Sequence, residues 1–192
     1  DRPDVSHYRL AAHLTTAFVT FAFTLWVALD LIFPIKQTIN KTYRNLIRIG
    51  LAILFIQIIY GAFVAGLDAG FIHNHWPMMS EGKLMHETVL TEKTPVYKNF
   101  IEGRSGVQFV HRILAFIVVI SVVIIYIKGK KIAVSNHQLN GLNSLLILVG
   151  IQSLLGVLTI LLQVPLWLGI AHQIGAFLLL SSMIFTLHRF SK

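Results

Sequence analysis

The run VQFVHRILAFIVVISVVIIYI, Val107 to Ile127, decides the fold. It is apolar almost throughout and is broken only by Gln108, His111, Arg112, Ser121 and the phenol of Tyr126. A helix rises about 1.5 Å per residue and the hydrocarbon core of a bilayer is roughly 30 Å thick, so a stretch of this length spans it. In lipid the backbone donors and acceptors must be satisfied within the segment, which makes the run a helix. Four further stretches meet the same demand: Leu10 to Phe33, Leu46 to Gly66, Leu142 to Leu162, and Leu166 to Leu187. The fold class is therefore all-α, a polytopic membrane bundle of about five transmembrane helices.

Composition agrees. Of the 192 residues 55% are hydrophobic and 12% charged, with a mean hydropathy of +0.72; soluble domains carry roughly 25% charged residues. The net charge of +8 does not mark a nucleic-acid footprint, because the cations are sorted by topology. Lys36, Lys41, Arg44 and Arg48 lie between the first two spans, Lys128, Lys130 and Lys131 follow the third, and Arg189 and Lys192 follow the fifth. All three clusters fall on one side, which the positive-inside rule assigns to the cytoplasm or the mitochondrial matrix. The first, third and fifth helices then run from outside to inside. The outer side holds Asp68, Glu81, Glu87, Glu92 and Glu102, interleaved with Lys83, Lys93, Lys98 and Arg104.

There is no cysteine, which removes disulfides, thiolate metal sites and covalent CxxCH heme attachment. The opening Asp1-Arg2-Pro3-Asp4 has neither an initiator Met nor a signal-peptide pattern, and reads as the interior of a longer protein. The connections are unequal. Asn40 to Asn45 and Gly129 to Asn140 read as polar inner loops, and Val164-Pro165 marks a tight turn between the last two spans. The outer segment from Leu67 to Ser105, with His73, His75 and Trp76-Pro77, is long enough to be a functional element. Its aromatic content predicts a folded cap on the membrane surface.

A weak internal repeat runs through the spans. His13-x-x-x-Ala17, His111-x-x-x-Ala115 and His172-x-x-x-Ala176 sit in the first turns of the three outside-to-inside helices, whereas the oppositely directed helices carry Gln57-x-x-x-Gly61 and Gln152-x-x-x-Gly156. Recurrence with matching direction and depth predicts a duplicated helical hairpin. Ionisable residues within spans are costly and mark functional sites. Neutral imidazoles from two facing helices can bind one heme iron from both sides, and the Ala one turn on leaves the porphyrin edge room. With both axial positions filled, such a heme relays electrons. A lone intramembrane His is commonly a packing residue bonded to a neighbouring helix, but three at one depth favour ligation. Zinc is a weaker reading, since neither carboxylate nor cysteine accompanies the trio.

Arg112 beside His111, and Arg9 one turn before His13, are candidate partners for heme propionates; the bland alternative is an interfacial anchor. Gln108 and Gln173 flank the ligand positions and read chiefly as interhelical hydrogen-bonding residues. His73, His75 and His86 read as solvated or cap-folding residues, and His7, His137 and His188 as polar positions near water at helix ends. Asp30 reaches the inner interface or lies on a proton path. Trp26, Trp76 and Trp167 suit interfacial or packing roles.

Several of these stretches resemble heme A synthase of the mitochondrial and proteobacterial type. They are Arg2-Pro3-Asp4-Val5-Ser6-His7-Tyr8-Arg9-Leu10-Ala11-Ala12-His13-Leu14; Gly61-Ala62-Phe63-Val64-Ala65-Gly66-Leu67-Asp68-Ala69-Gly70 with Trp76-Pro77 behind it; Gln108-Phe109-Val110-His111-Arg112; and Gln152-x-x-x-Gly156 leading to Pro165 and Ala171-His172-Gln173. The resemblance covers essentially the whole chain, in order. It implies an oxidoreductase that converts the C8 methyl of heme O to a formyl group, giving heme A for cytochrome oxidase. It implies eight transmembrane helices in two similar four-helix bundles, in the bacterial plasma membrane or the mitochondrial inner membrane. The C-terminal bundle of that family holds heme b between two histidines, which fall on His111 and His172 here, with Arg112 nearby; His13 falls on a ligand of the substrate heme. Residues 1–40 would be the last helix of the N-terminal bundle with its inner loop, and 41–192 the C-terminal heme b bundle with its outer cap over 67–105. The catalytic carboxylate of the family belongs to helices for which this sequence has no counterpart, so the chain is expected to be inactive alone. Heme O synthase and cytochrome oxidase assembly factors are implied as partners, lipid surrounds the spans, and small residues on the helices permit a homo-oligomer. Two readings compete: a non-enzymatic b-type cytochrome electron-transfer subunit, and a histidine-bearing transporter or structural protein without cofactor.

Overall fold

A computed structural model describes residues 6–33 and 40–191. The basic residues Lys36 and Lys192 and the opening Arg2-Pro3-Asp4-Val5 of the first resembling stretch lie outside the described residues. The elements, in chain order, are α1 (His7–Ile32), α2 (Lys41–Gly66), α3 (Thr88–Thr91), α4 (Asn99–Glu102), α5 (Arg104–Lys130), α6 (Asn136–Leu161) and α7 (Leu166–Arg189). Among them α1, α2, α5, α6 and α7 are long and apolar enough to cross a membrane, and the protein is an integral membrane protein.

The spans run further than hydropathy alone implies. Asn40 caps α2 through a 3.0 Å hydrogen bond from the Tyr43 amide, so Lys41 to Asn45, expected as loop, form the first helical turn. Ser135 opens α6 with a capping box that it shares with Gln138, and 136–140 are helical as well. Both corrections have one cause. A cap starts the helix in the interfacial layer, where polar side chains are tolerated, before the hydrocarbon begins.

α2 packs on α5, α5 on α6, α6 on α7, and α7 back on α2. This closed cycle is a four-helix bundle with α5 and α7 on one diagonal and α2 and α6 on the other. α1 lies outside it, against α2 and α7. The bundle is packed unevenly along its axis. Its core comprises Tyr43, Ile47, Leu54 and Ile58 from α2, Val118, Val122 and Ile125 from α5, Leu142, Leu145 and Val149 from α6, and Leu179 to Leu187 from α7. Most of these residues lie in the inner half, and on α2 the core reaches Ile58, beside Gln57. Tyr43 donates a 2.7 Å hydrogen bond to the Ile125 carbonyl, binding α2 to α5 there. In the outer half, no residue of α6 from 152 to 160 is fully buried.

Two residues near the inner end depart from expectation. His188 is 0% exposed, not a water-facing end residue, and its Nε2 lies 2.9 Å from Oδ1 of Asp30, which is 33% exposed. Trp26 packs edge-on to the same imidazole. Asp30 thus joins α1 to α7, and His188 is buried because α1 covers the last turn of α7. His137 is exposed, with its ring 5.1 Å from that of Phe33.

The outer segment is folded, as its composition predicts. A 3-10 turn at Ala69–Phe71 leads into an irregular stretch, followed by the single-turn helices α3 and α4. Asn99 is fully buried, and its amide donates to the carbonyls of Leu90, Lys93 and Val96, closing the stretch before α5. Glu92 accepts from the backbone amides of Arg104 and Ser105 at 3.0 Å each. A carboxylate there satisfies orphan donors at the start of α5 and complements its dipole.

Candidate functional site

The outer half of the bundle carries the repeat seen in the sequence. His111 projects from α5 and His172 from α7, each two turns outward of its helix's first core residue, Val118 or Leu179. Diagonal placement sets the two imidazoles across the bundle axis, within electrostatic range of each other. The other diagonal supplies their partners. Gln57 of α2 places Nε2 3.3 Å from His111 Nε2, and Gln152 of α6 places Nε2 3.4 Å from His172 Nε2. Gln152 also donates to the His172 carbonyl at 2.9 Å.

One turn outward on the same helices, Gly61 and Gly156 receive the rings. A Cβ at Gly61 would stand 3.3 Å from His111 Cε1, and one at Gly156 would stand 3.0 Å from His172 Cε1. Each hairpin therefore repeats one unit: a His on the outside-to-inside helix, with a Gln and a Gly on its partner. The repeat was legible in the sequence, but the pairing of its halves was not, because Gln-to-His contact depends on how the helices pack. The glycines serve the close approach more directly than Ala115 and Ala176 do.

The chemistry of the donor set is specific. Nδ1 of both His111 and His172 is buried without a hydrogen-bond partner, as are Oε1 of Gln57 and of Gln152. Buried polar atoms in this state usually have a partner of some kind. Two neutral imidazoles with spare nitrogen capacity, facing each other from diagonal helices among apolar residues, suit a flat ligand with a metal centre. Among the described residues no group of three or more His, Cys, Asp or Glu converges as a bare-ion site. His13, the third histidine of the repeat, is exposed on α1 outside the bundle. A groove of about 400 Å³ runs near it between α1 and α7, lined by Leu14, Phe18, Phe21, Gln173 and Phe177 among others.

The remaining candidates belong to the cap. Arg112 is 7% exposed, and its guanidinium donates to three backbone carbonyls there: His73 at 2.6 Å, His75 at 2.8 Å and Met78 at 3.3 Å. Gln108 donates to the His73 carbonyl as well, at 3.2 Å. The His73 ring bonds to Ser105 Oγ at 3.0 Å, Ser105 to Thr88 at 2.7 Å, and Thr88 to His86 at 2.8 Å, while the His73 and His86 rings lie 4.5 Å apart. Burial, with His86 and Arg112 adding to it, pushes the His73 imidazole down from 6.5 to about 4. A cleft of about 590 Å³ opens beside these histidines toward Leu161 and Gln163. His7 binds the Ile101 carbonyl at 3.1 Å, fixing the outer end of α1 to the cap.

Residues 1–184 match the family model described as cytochrome oxidase assembly protein (COX15-CtaA). The chain is similar along its whole length to proteins named heme A synthase. It is 59% identical to that of Flavobacterium psychrophilum, 38% to that of Nitrosospira multiformis, and 35% to the mouse protein named heme A synthase COX15. It spans 57%, 54% and 47% of those three relatives, respectively. The motifs that build the diagonal histidine site thus lie in a chain that belongs to the COX15-CtaA family of cytochrome oxidase assembly proteins.

Proposed function

We propose that this chain is the heme-ligating C-terminal portion of a heme A synthase, an inner-membrane oxidoreductase that oxidises the C8 methyl of heme O to the formyl of heme A for cytochrome oxidase. The observation that carries the reading is the matched pair His111 and His172. They stand on diagonal helices, each with a buried unpartnered nitrogen and a glycine against its ring, seven residues before the first core residue of its own helix. The relatives' shared name supports the choice of reaction.

In this reading His111 and His172 would hold a b-type heme, which would supply a one-electron relay toward the substrate heme. Gln57 and Gln152 set the orientation of the two rings, as outer partners of metal-ligating histidines do. Gly61 and Gly156 let the helices approach the imidazoles, and the apolar outer walls of α2, α5, α6 and α7 exclude water. His13, exposed on α1, is a ligand on the substrate side. Residues 1–40 belong to the substrate bundle, and 41–192, with the cap over 67–105, form the cofactor bundle. Heme O synthase and cytochrome oxidase assembly factors are the partners that the resemblance implies.

The test is the optical spectrum of the detergent-purified protein beside His111→Ala and His172→Ala. A low-spin, bis-imidazole b-type spectrum that either substitution abolishes is the expected result, and a spectrum indifferent to both sinks the ligand assignment. Chromatography of the heme extracted after incubation with heme O then separates a synthase, which yields formyl heme, from an electron-transfer cytochrome, which does not.

A further inference from the structure

The cap segment from Ala69 to Met79 crosses the outer end of the bundle. It leaves α2, touches α5, and reaches the turn between α6 and α7. At the far side Asn74 donates to the carbonyls of Gly70 and Ile160 at 3.0 and 2.9 Å, and a Cβ at Gly70 would meet Val164 at 3.0 Å. At the near side Ser105, Gln108 and Arg112 occupy one face of α5 and all bind His73, through its ring or its carbonyl. Arg112 contributes most, spreading its guanidinium over three carbonyls of the cap. Both terminal nitrogens are thereby engaged, and Nε is buried without a partner. The planar fork that would grip a carboxylate in two-point fashion is turned to the cap.

We propose that Arg112 is a positioning residue that latches the cap over the mouth of the histidine site, so that Arg112 and Asn74 together gate entry and exit of a tetrapyrrole. The proposal rests on the reading that His111 and His172 ligate heme. Gate and anchor differ kinetically. A latch that blocks the mouth slows loading and loss alike, so breaking it accelerates both and leaves the equilibrium nearly unchanged. A propionate anchor acts only on the bound state, so removing it raises the dissociation rate alone. Lysine separates them further. It keeps the positive charge that attracts a carboxylate but not the fork that spans three carbonyls.

The experiment uses hemin as probe on the heme-depleted full chain, comparing wild type with Arg112→Lys and Asn74→Ala. Asn74 lies between the two residues whose carbonyls Arg112 holds, but its side chain reaches the other way, to the α6 terminus. Both variants should speed hemin association and dissociation together, each by roughly tenfold, the loss expected for a charge-assisted or multi-point hydrogen bond. Faster dissociation with unaltered association in Arg112→Lys, and no effect of Asn74→Ala, would overturn the latch and make Arg112 a propionate anchor. A second measurement needs no heme. The chain has no cysteine, so Ala115→Cys, one turn inward from His111, reports access to the bundle interior through its reaction with a membrane-impermeant maleimide. Labelling should accelerate in both latch variants, and equal labelling rates would refute the gate. If the wild type shows no His111- and His172-dependent hemin binding, the heme reading fails, and the labelling rates decide the gate by themselves.

Discussion

At the scale of the residue, the tightest constraint falls on two glycines. Added methyl groups in a packed site cost about 1–3 kcal/mol unless the neighbours can shift. The imidazole that a Cβ at Gly156 would meet at 3.0 Å is also held at Nε2 by Gln152 of the same helix, whose amide is fixed to the His172 carbonyl. His111 has more slack, since the Gly61 Cβ would stand 3.3 Å away and Gln57 makes no such second bond to the His111 backbone among the described contacts. Gly156→Ala should therefore displace its ring and weaken heme retention more than Gly61→Ala. The fraction of heme kept through repeated detergent washing measures this, and equal retention in the two variants would show that the glycines are not matched to the rings. His73 supplies a residue-scale prediction of another kind. Its folded value near 4 lies below the unfolded 6.5, so between those values the unfolded or unseated state binds more protons. Its contribution to cap seating is complete above pH 6.5 and is lost progressively as pH falls toward 4. The protection of amides in residues 73–78, their exchange rate relative to the intrinsic rate at each pH, should fall over that window in the wild type, and His73→Asn should flatten the dependence.

At the scale of the element, the five spans and the folded segment between the second and third of them were legible because each depends on local quantities: apolar length and turn residues. The helix starts at Lys41 and Asn136 were not, because Asn40 and Ser135 set them by capping rather than by hydropathy. The candidate site divides the same way. His111 and His172 stand out as polar residues in apolar runs, and the Gln-x-x-x-Gly repeat was visible as a pattern. Its meaning required knowing that α2 pairs with α5 and α6 with α7, which no local property reports. The burial of His188 against Asp30 escaped for a related reason. A histidine in the last turn of a span looks solvated until another helix covers it, and α1 does so from the far end of the sequence. Arg112 is the most instructive residue of this kind. Adjacency to His111 suggested a ligand partner, whereas a shift of one residue along a helix turns the side chain by about 100°, and the cap meets it there.

At the scale of the whole molecule, the bundle is two copies of one hairpin packed into a closed cycle, with most of its apolar core in the inner half. That division has an energetic consequence. Most of the interdigitated Leu, Ile and Val lie in the inner half, while the paired histidines and glutamines alone contribute four buried polar atoms without partners, Nδ1 of each histidine and Oε1 of each glutamine. Each unsatisfied buried group costs about 1–3 kcal/mol, so the ligand-free protein retains the site at the expense of its own stability, as residues kept for function often do. Replacing the polar pairs with apolar ones of similar size removes that cost. The quadruple variant His111→Leu, His172→Leu, Gln57→Leu, Gln152→Leu should therefore be more stable than the ligand-free wild type and incapable of binding heme. Hemin added to the wild type should recover stability by mass action, because it binds the folded form. Thermal unfolding in detergent, with and without hemin, measures both effects. A variant less stable than the ligand-free wild type would mean that the four polar residues hold the outer half together through contacts of their own.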